Sequence, residues 1–360
     1  MRSMPTTDAP VISVDAMGGD RGPATVIAGL VKALRKAPDL RFLLHGPEAT
    51  LAPLLSRRAA LAARCDIVDC ARVVEMADKP GAALRAAEGT SMWSALSSVA
   101  TGAAAAAVSC GNTGALMAMA MLRLRKAPGV DRPAIAVFWP SRAPAGFNIV
   151  LDVGADLRAD AHVLAQYAVM GAEYARVGLD LSAPRVGLLN VGAEDTKGRP
   201  ELRTARDLLA ASAAQGDYAF CGFVEGGDLC GDKADVIVTD GFTGNIALKS
   251  AEGAAAFIGE EMRRSFNVGL FSRLAGLMAL GVLGRLKRRI DPRRVNGGVF
   301  LGLGGAVVKS HGGADATGVA AAVALAARMG RTGFTEQVAA RVAALTAPEK
   351  NPDSKGDTAR

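Results

Sequence analysis

Short apolar runs alternate with amphipathic stretches along almost the whole chain. Val11–Val14, Arg41–Leu44, Asp66–Val68, Ala105–Val108, Ala134–Phe138, Asn148–Asp152, Val186–Asn190, Tyr218–Val224 and Asp235–Thr239 read as strands. Several are continuously apolar, the pattern of strands buried on both faces of a parallel sheet. Pro23–Arg35 carries Val26, Ile27, Leu30, Val31 and Leu34 at helical spacing, with Pro23 suited to a first turn. Ala159–Val177 and Arg203–Ala214 repeat that periodicity, and Ala115–Arg125 follows its strand in the same way. This order predicts an α/β fold with a mostly parallel sheet. Residues 1–346 read as one unit, with Pro140–Gly146 a candidate break between two lobes. Residues 347–360 are a polar tail without a core pattern.

One segment breaks the pattern. Leu274–Gly284 is uncharged yet too short to span a bilayer. Leu270, Leu274, Leu277 and Met278 share a helical face, and Arg285, Lys287, Arg288 and Arg289 follow. An apolar face beside a basic flank is the composition of an interfacial segment. The alternative is a core or dimer-interface helix. Gly276, Gly281 and Gly284 weaken a single rigid helix and predict two short ones, an amphipathic hairpin within 266–290.

Composition narrows the class. Half of the 360 residues are apolar and 21% are charged, which excludes a disordered chain. Aromatics at 4% argue against a base-stacking nucleic-acid surface. The net charge of +7 favours anionic partners. Five cysteines without a CxxC pair argue against a disulfide framework or a structural zinc. Met1–Pro10 has no apolar signal region, so a cytoplasmic protein is expected. Neither GxGxxG after a strand nor HExxH occurs, so no cofactor and no metal are expected.

Candidate chemistry lies in turns that follow strands, where α/β sheets bind ligands. Asp15-Ala16-Met17-Gly18-Gly19-Asp20-Arg21-Gly22-Pro23 feeds a helix N-terminus, a natural anion site. Ser109-Cys110-Gly111-Asn112-Thr113-Gly114-Ala115 does the same, with Asn112 or Thr113 as cap. Ser109 sits in part of a nucleophile elbow, but Ala107 replaces its first glycine. Asn190–Arg199 crowds charge behind a buried strand and holds Lys197 between Thr196 and Gly198. Thr239–Ile246 places Thr243, Gly244 and Asn245 where a helix dipole would meet a ligand. The glycine-rich Gly297–Gly305 leads to His311, a candidate base or phosphate ligand.

Taken in order, DAMGGDRGP (15–23), SCGNTGA (109–115), NVGAEDTKG (190–198), TDGFTGNI (239–246) and the Gly297–Gly312 segment resemble the bacterial phosphate acyltransferases of phospholipid synthesis. The resemblance runs from about Ile12 to Leu345. Departures are mild: Cys110 stands where the family commonly has alanine. Ala193-Glu194-Asp195 stands where paired glutamates are frequent, and Gly227 where a polar residue is common. The resemblance implies a three-layer α/β/α fold like isopropylmalate dehydrogenases, a homodimer, and peripheral attachment to an anionic membrane through a protruding helical hairpin. It implies that acyl-ACP and inorganic phosphate give acyl phosphate and ACP. Lys197, Asn245 and His311 are then the expected catalytic residues. Asp15, Gly18, Gly19, Asn112, Thr113, Gly114, Thr243 and Gly244 are the expected phosphate or substrate contacts. The basic residues from Arg263 to Arg289 would meet ACP or lipid. Four rivals remain: an acetyl-CoA-dependent phosphate acetyltransferase, a decarboxylating dehydrogenase, a hydrolase built on Ser109 and His311, and a non-catalytic membrane scaffold.

Overall fold

In the computed structural model the described residues are 9–290 and 298–346; the side chains of Leu270, 285–290 and Thr346 fall outside that description. The apolar runs become β1 (Val11–Asp15), β2 (Arg41–Gly46), β3 (Cys65–Asp69), β4 (Ala106–Ser109), β5 (Ala134–Pro140), β6 (Phe147–Leu151), β7 (Arg185–Leu189), β8 (Ala219–Val224) and β9 (Val236–Val238). Two strands lie inside the segment read only as glycine-rich: β10 (Gly298–Leu301) and β11 (Ala306–Lys309). Four residues each, between glycines, are too few to show a period.

All eleven strands join one sheet, in the order β3-β2-β1-β4-β11-β10-β5-β6-β9-β7-β8. Pairing is parallel except where β10 meets β11 and β5, and where β5 meets β6. These reversals give the sheet two halves. β1, β4 and β11 run one way, and β6, β9 and β7 run the other. Pro140–Gly146, the expected break between lobes, is the short link between β5 and β6, closed by Ser141 N–H to Gly146 O at 3.0 Å.

Helices cover both faces, because alternate strand residues point opposite ways. Ile149, Leu151, Val236 and Val238 face the helices Gly22–Lys36, Ala161–Leu179 and Ala316–Thr332. Val150 and Ile237 share the opposite face with Met92, Leu96, Leu116 and Met119 of the helices Ser91–Ala100 and Thr113–Leu124. The fold is therefore the three-layer α/β/α arrangement. Gly22–Lys36 shows why the pattern works. Pro23 stands in its first turn, Arg35 and Lys36 lie in its last, and Val26, Ile27 and Leu30 are buried. Each such side chain contributes about 1.5–3 kcal/mol on burial.

The hairpin differs from expectation. Its arms are two long helices, Gly241–Asn267 and Leu270–Ile290, joined at Val268–Gly269, not two short helices within 266–290. Strong helix formers around the glycines carry the second arm through. Gly276 allows the arms to approach: a Cβ there would lie 3.1 Å from the Phe266 ring. Residues 249–259 of the first arm are exposed or nearly so, so the hairpin stands clear of the sheet.

Candidate functional site

The turns that sequence singles out fold into two groups. The first forms where the loops after β1, β4 and β11 meet. Asp15 ends β1, is 2% exposed, and accepts hydrogen bonds from Ser91 Oγ and Ser109 Oγ, both at 2.7 Å. Burial pushes its carboxyl above the ordinary range, against the pull of these hydroxyls and of the Met17 and Gly18 amides. Asp15 thus organises the loops and is not placed as a phosphate contact. Gly18 and Gly19 are there for close approach. A Cβ on Gly18 would lie 2.6 Å from Gly111 N; one on Gly19, at φ +96°, would lie 2.8 Å from Cys110 Cβ and 2.9 Å from Gly312 O. Asp20 N–H then donates to Gly312 O at 2.9 Å, locking the first loop to the third.

Asn112 caps the helix Thr113–Leu124. Its Oδ1 accepts from Ala115 N–H at 3.0 Å, and its Nδ2 donates to Met76 O and Asp78 O at 3.0 and 2.9 Å. Thr113 and Gly114 are exposed in the first turn, where a helix has no carbonyl to offer. Among the described residues their N–H groups have no hydrogen-bond partner. His311 is exposed in the third loop, and its Nδ1 accepts from Gly313 N–H at 3.1 Å. The proton of the neutral ring therefore sits on Nε2, directed away from its own loop.

Sequence reading missed Lys309 at the end of β11. It pairs in register with Ser109 and is 7% exposed. Its Nζ donates to Cys110 O at 3.3 Å and to Ser310 O. Burial pulls the ammonium down to about 8, opposed by Cys110, Asp15 and Asp20. The available signal was a lysine closing the apolar run Ala306–Val308 just before His311.

The second group follows β6, β7 and β9. Asp152, fully buried, accepts from the N–H groups of Ile135, Gly154, Ala155 and Asp156 at 2.6–3.0 Å. Asn190 Nδ2 donates to Gly192 O and Lys197 O, both at 3.1 Å, and so shapes the Lys197 loop. Lys197 is half exposed and pairs with Glu194 at 2.9 Å. The pair raises the ammonium and lowers the carboxyl. Arg199 reaches Asp240 at 2.5 Å and ties this loop to the next.

Asp240 caps the helix Gly241–Asn267. Its Oδ1 accepts from Thr243 N–H at 2.8 Å and its carbonyl from Gly244 N–H at 3.0 Å. Those two N–H groups are therefore not open to a ligand. Gly244 is a packing position, since a Cβ would fall 1.9 Å from Asp152 O. Asn245 Nδ2 donates to Val153 O at 3.0 Å.

Lys197 and Asn245 thus share one group, while His311, Gly18, Gly19, Asn112, Thr113 and Gly114 share the other. Among the described residues no hydrogen bond or ion pair joins the two. Their strands leave the sheet in opposite senses. The Ser109 hydroxyl is buried and donates to Asp15, so Ser109 and His311 do not pair.

The hairpin carries most of the exposed large apolar side chains, among them Phe257, Ile258, Phe271, Leu274, Leu277 and Met278. Arg264 is paired with Glu260 and Glu261. The side chains of Leu270, Arg285, Lys287, Arg288 and Arg289 lie outside the described residues. Among those described, no helix is long and apolar enough to cross a membrane.

Comparison with known proteins agrees with this architecture. A family model described as "Fatty acid synthesis protein" matches residues 11–337. Phosphate acyltransferase from Paracoccus denitrificans is 62% identical over 336 residues, covering 93% of this chain and 91% of that protein. Phosphate acyltransferase from Ruegeria sp. is 59% identical over 354 residues, covering 97% and 94%. Among solved structures, a phosphotransacetylase from Streptococcus pyogenes aligns with TM-score 0.59 at 17% identity, covering 89% of this chain and 94% of that one. EutD phosphotransacetylase from Staphylococcus aureus aligns at 0.57 and 15%, covering 90% and 95%. These last two speak for the fold alone. With the fold, the ordered turns and both close relatives in agreement, the chain belongs to the phosphate acyltransferase family and is an acyltransferase enzyme.

Proposed function

We propose that this enzyme transfers a fatty acyl group from acyl-ACP to inorganic phosphate, giving acyl phosphate and free ACP. The observation that carries the reading is the first loop group. It offers unspent N–H groups at Thr113 and Gly114 and a buried cation on the same loop, which together suit a small oxyanion.

The chemistry asks for little more than placement. A phosphate oxygen attacks the thioester carbonyl carbon and forms a C–O bond. The tetrahedral oxyanion collapses, the C–S bond breaks, and sulfur leaves as a thiolate of pKa about 8.5. No covalent intermediate on the protein is needed, which fits the engagement of Ser109 by Asp15. The first group, with His311 Nε2 at its rim, holds and orients the phosphate. Lys197 and Asn245 serve the developing oxyanion once each releases its resting partner, Glu194 or Val153 O. A productive site then needs the two groups around one substrate, as the boundary of a homodimer could bring them.

The exposed apolar hairpin is the surface for peripheral attachment to anionic membrane, where a long acyl chain is delivered and consumed. A water-soluble acetyl donor has no use for it. The test is an assay of the purified enzyme with palmitoyl-ACP and inorganic phosphate, with acetyl-CoA in parallel. Phosphate-dependent thiol release from palmitoyl-ACP alone is expected. Release without phosphate would mean hydrolysis, and equal use of acetyl-CoA would make this a general phosphate acetyltransferase. Lipid binding without turnover on either donor would leave only a scaffold.

A further inference from the structure

We propose that Lys309 is the buried cation of the phosphate half-site, presenting its remaining N–H to a phosphate seated at the helix turn of Thr113 and Gly114. The inference rests on the first loop group being the phosphate half, and it names the charge that makes it so.

The argument begins with cost. A lysine ammonium is rarely buried without a paired charge, because desolvation is expensive. Lys309 is 7% exposed, yet its hydrogen-bond partners are two carbonyl oxygens, those of Cys110 and Ser310. Among the described residues no carboxylate lies within ion-pair distance of its Nζ. An ammonium has three donors, so two carbonyls leave one unspent. Beside it, the buried Ser310 hydroxyl lies against the Cys110 thiol. The unspent ammonium donor thus lies beside a buried hydroxyl beneath the loops.

A fold that needed only to tie two carbonyls together would gain nothing from a full charge there. The groups facing Lys309 are Asp15 from β1, Asp20 from the first loop and Cys110 from the second. Burial raises both the Asp15 carboxyl and the Cys110 thiol, and among the described residues neither forms an ion pair with the ammonium. Asp20 is exposed at the rim. An arriving dianion would supply the countercharge that the fold leaves out.

Two probes test this on the full chain by calorimetry. The first is inorganic sulfate, which stays dianionic from pH 7 to 9.5. Because the ammonium is charged below about 8 and neutral above it, sulfate affinity should fall about tenfold over that range. The second is Lys309→Met, which keeps the stem and removes the charge. It should bind phosphate and sulfate at least about tenfold more weakly, with little remaining pH dependence. In turnover it should raise KM for phosphate and leave KM for the acyl donor unchanged. Rescue of phosphate affinity by Lys309→Arg would separate charge from packing.

Wild-type sulfate affinity that stays constant across the range overturns the proposal, and this holds even if Lys309→Met fails to fold. So does a folded Lys309→Met that binds phosphate as wild type does; the phosphate half would then survive without Lys309. If the wild type binds neither anion, the phosphate half itself falls and this inference with it.

Discussion

The two loop groups are built from the same part, a strand that turns into a helix, and end with opposite electrostatics. The helix Thr113–Leu124 is capped by an amide, Asn112, which spends one first-turn N–H and leaves those of Thr113 and Gly114 open. The helix Gly241–Asn267 is capped by a carboxylate, Asp240, which is itself held by Arg199. One helix dipole ends on unspent N–H groups, in the loop whose Cys110 carbonyl holds Lys309. The other is already answered by a resident anion. The identity of one cap residue separates a place for an anion from a rigid corner. That corner still carries Lys197 and Asn245, so its contribution is side chains rather than backbone amides.

The largest expected effect falls on the second group. Lys197→Ala and Asn245→Ala should each lower kcat by about 10²–10³, the usual cost of one oxyanion donor. Circular dichroism should remain unchanged, because Lys197 is half exposed and Asn245 makes one hydrogen bond. Wild-type turnover in both variants would remove the second group from the chemistry.

The next effect reads the support beneath the first group. His45 is buried, with Nε2 2.8 Å from Ser13 Oγ and Nδ1 2.9 Å from Ser94 Oγ, and its carbonyl receives Ala16 N–H. Burial lowers its pKa from 6.5 to about 4. The folded state therefore prefers the neutral ring. Its contribution is full above pH 6.5 and lost as pH falls toward 4, by roughly 3 kcal/mol. Burial of Asp15 and Asp152 works in the opposite sense, since their raised carboxyls favour the fold on acidification. Urea unfolding of wild type and His45→Gln at pH 7 and pH 4.5 isolates the imidazole. A difference between the two proteins that does not change with pH would refute this account of His45.

A smaller effect tests the loop contacts. Gly19→Ala forces a Cβ toward Cys110 and Gly312 at a positive φ. It should cost about 1–3 kcal/mol of stability and loosen the phosphate half. Unchanged thermal unfolding would mean that the loops are not interlocked as described. The smallest effect on turnover belongs to the hairpin. Replacing Phe271, Leu277 and Met278 together with serine should abolish sedimentation with anionic vesicles. It should change turnover of a soluble acyl donor by less than about twofold. Persistent vesicle binding would move the membrane contact elsewhere.

Much of this was legible in the residues. Continuous apolar runs located nine strands to within two residues, because strands buried on both faces leave an unbroken signal. The turns after them named both loop groups. Their partition was hidden, because it depends on the reversals at β10, β5 and β6, and β10 and β11 are short and flanked by glycine. Lys309 was missed for the same reason: without β11 there was no strand for it to end. Asp240 was not singled out as the cap of its helix, since Asp, Thr and Asn all suit a helix start and only the hydrogen bond from Thr243 N–H chooses among them. The hairpin's second arm was seen through its apolar run. Its first arm was not, because exposed alanines, glycines and glutamates carry no core stripe.

The division of labour between the two groups is tested most directly by initial rates against phosphate concentration, with saturating palmitoyl-ACP, for wild type, Gly19→Ala and Lys197→Ala. The account predicts that Gly19→Ala raises KM for phosphate about tenfold with kcat nearly unchanged, while Lys197→Ala lowers kcat and leaves that KM in place. Both variants changing the same parameter in the same proportion would contradict it, since one undivided site would then hold the phosphate and the oxyanion together.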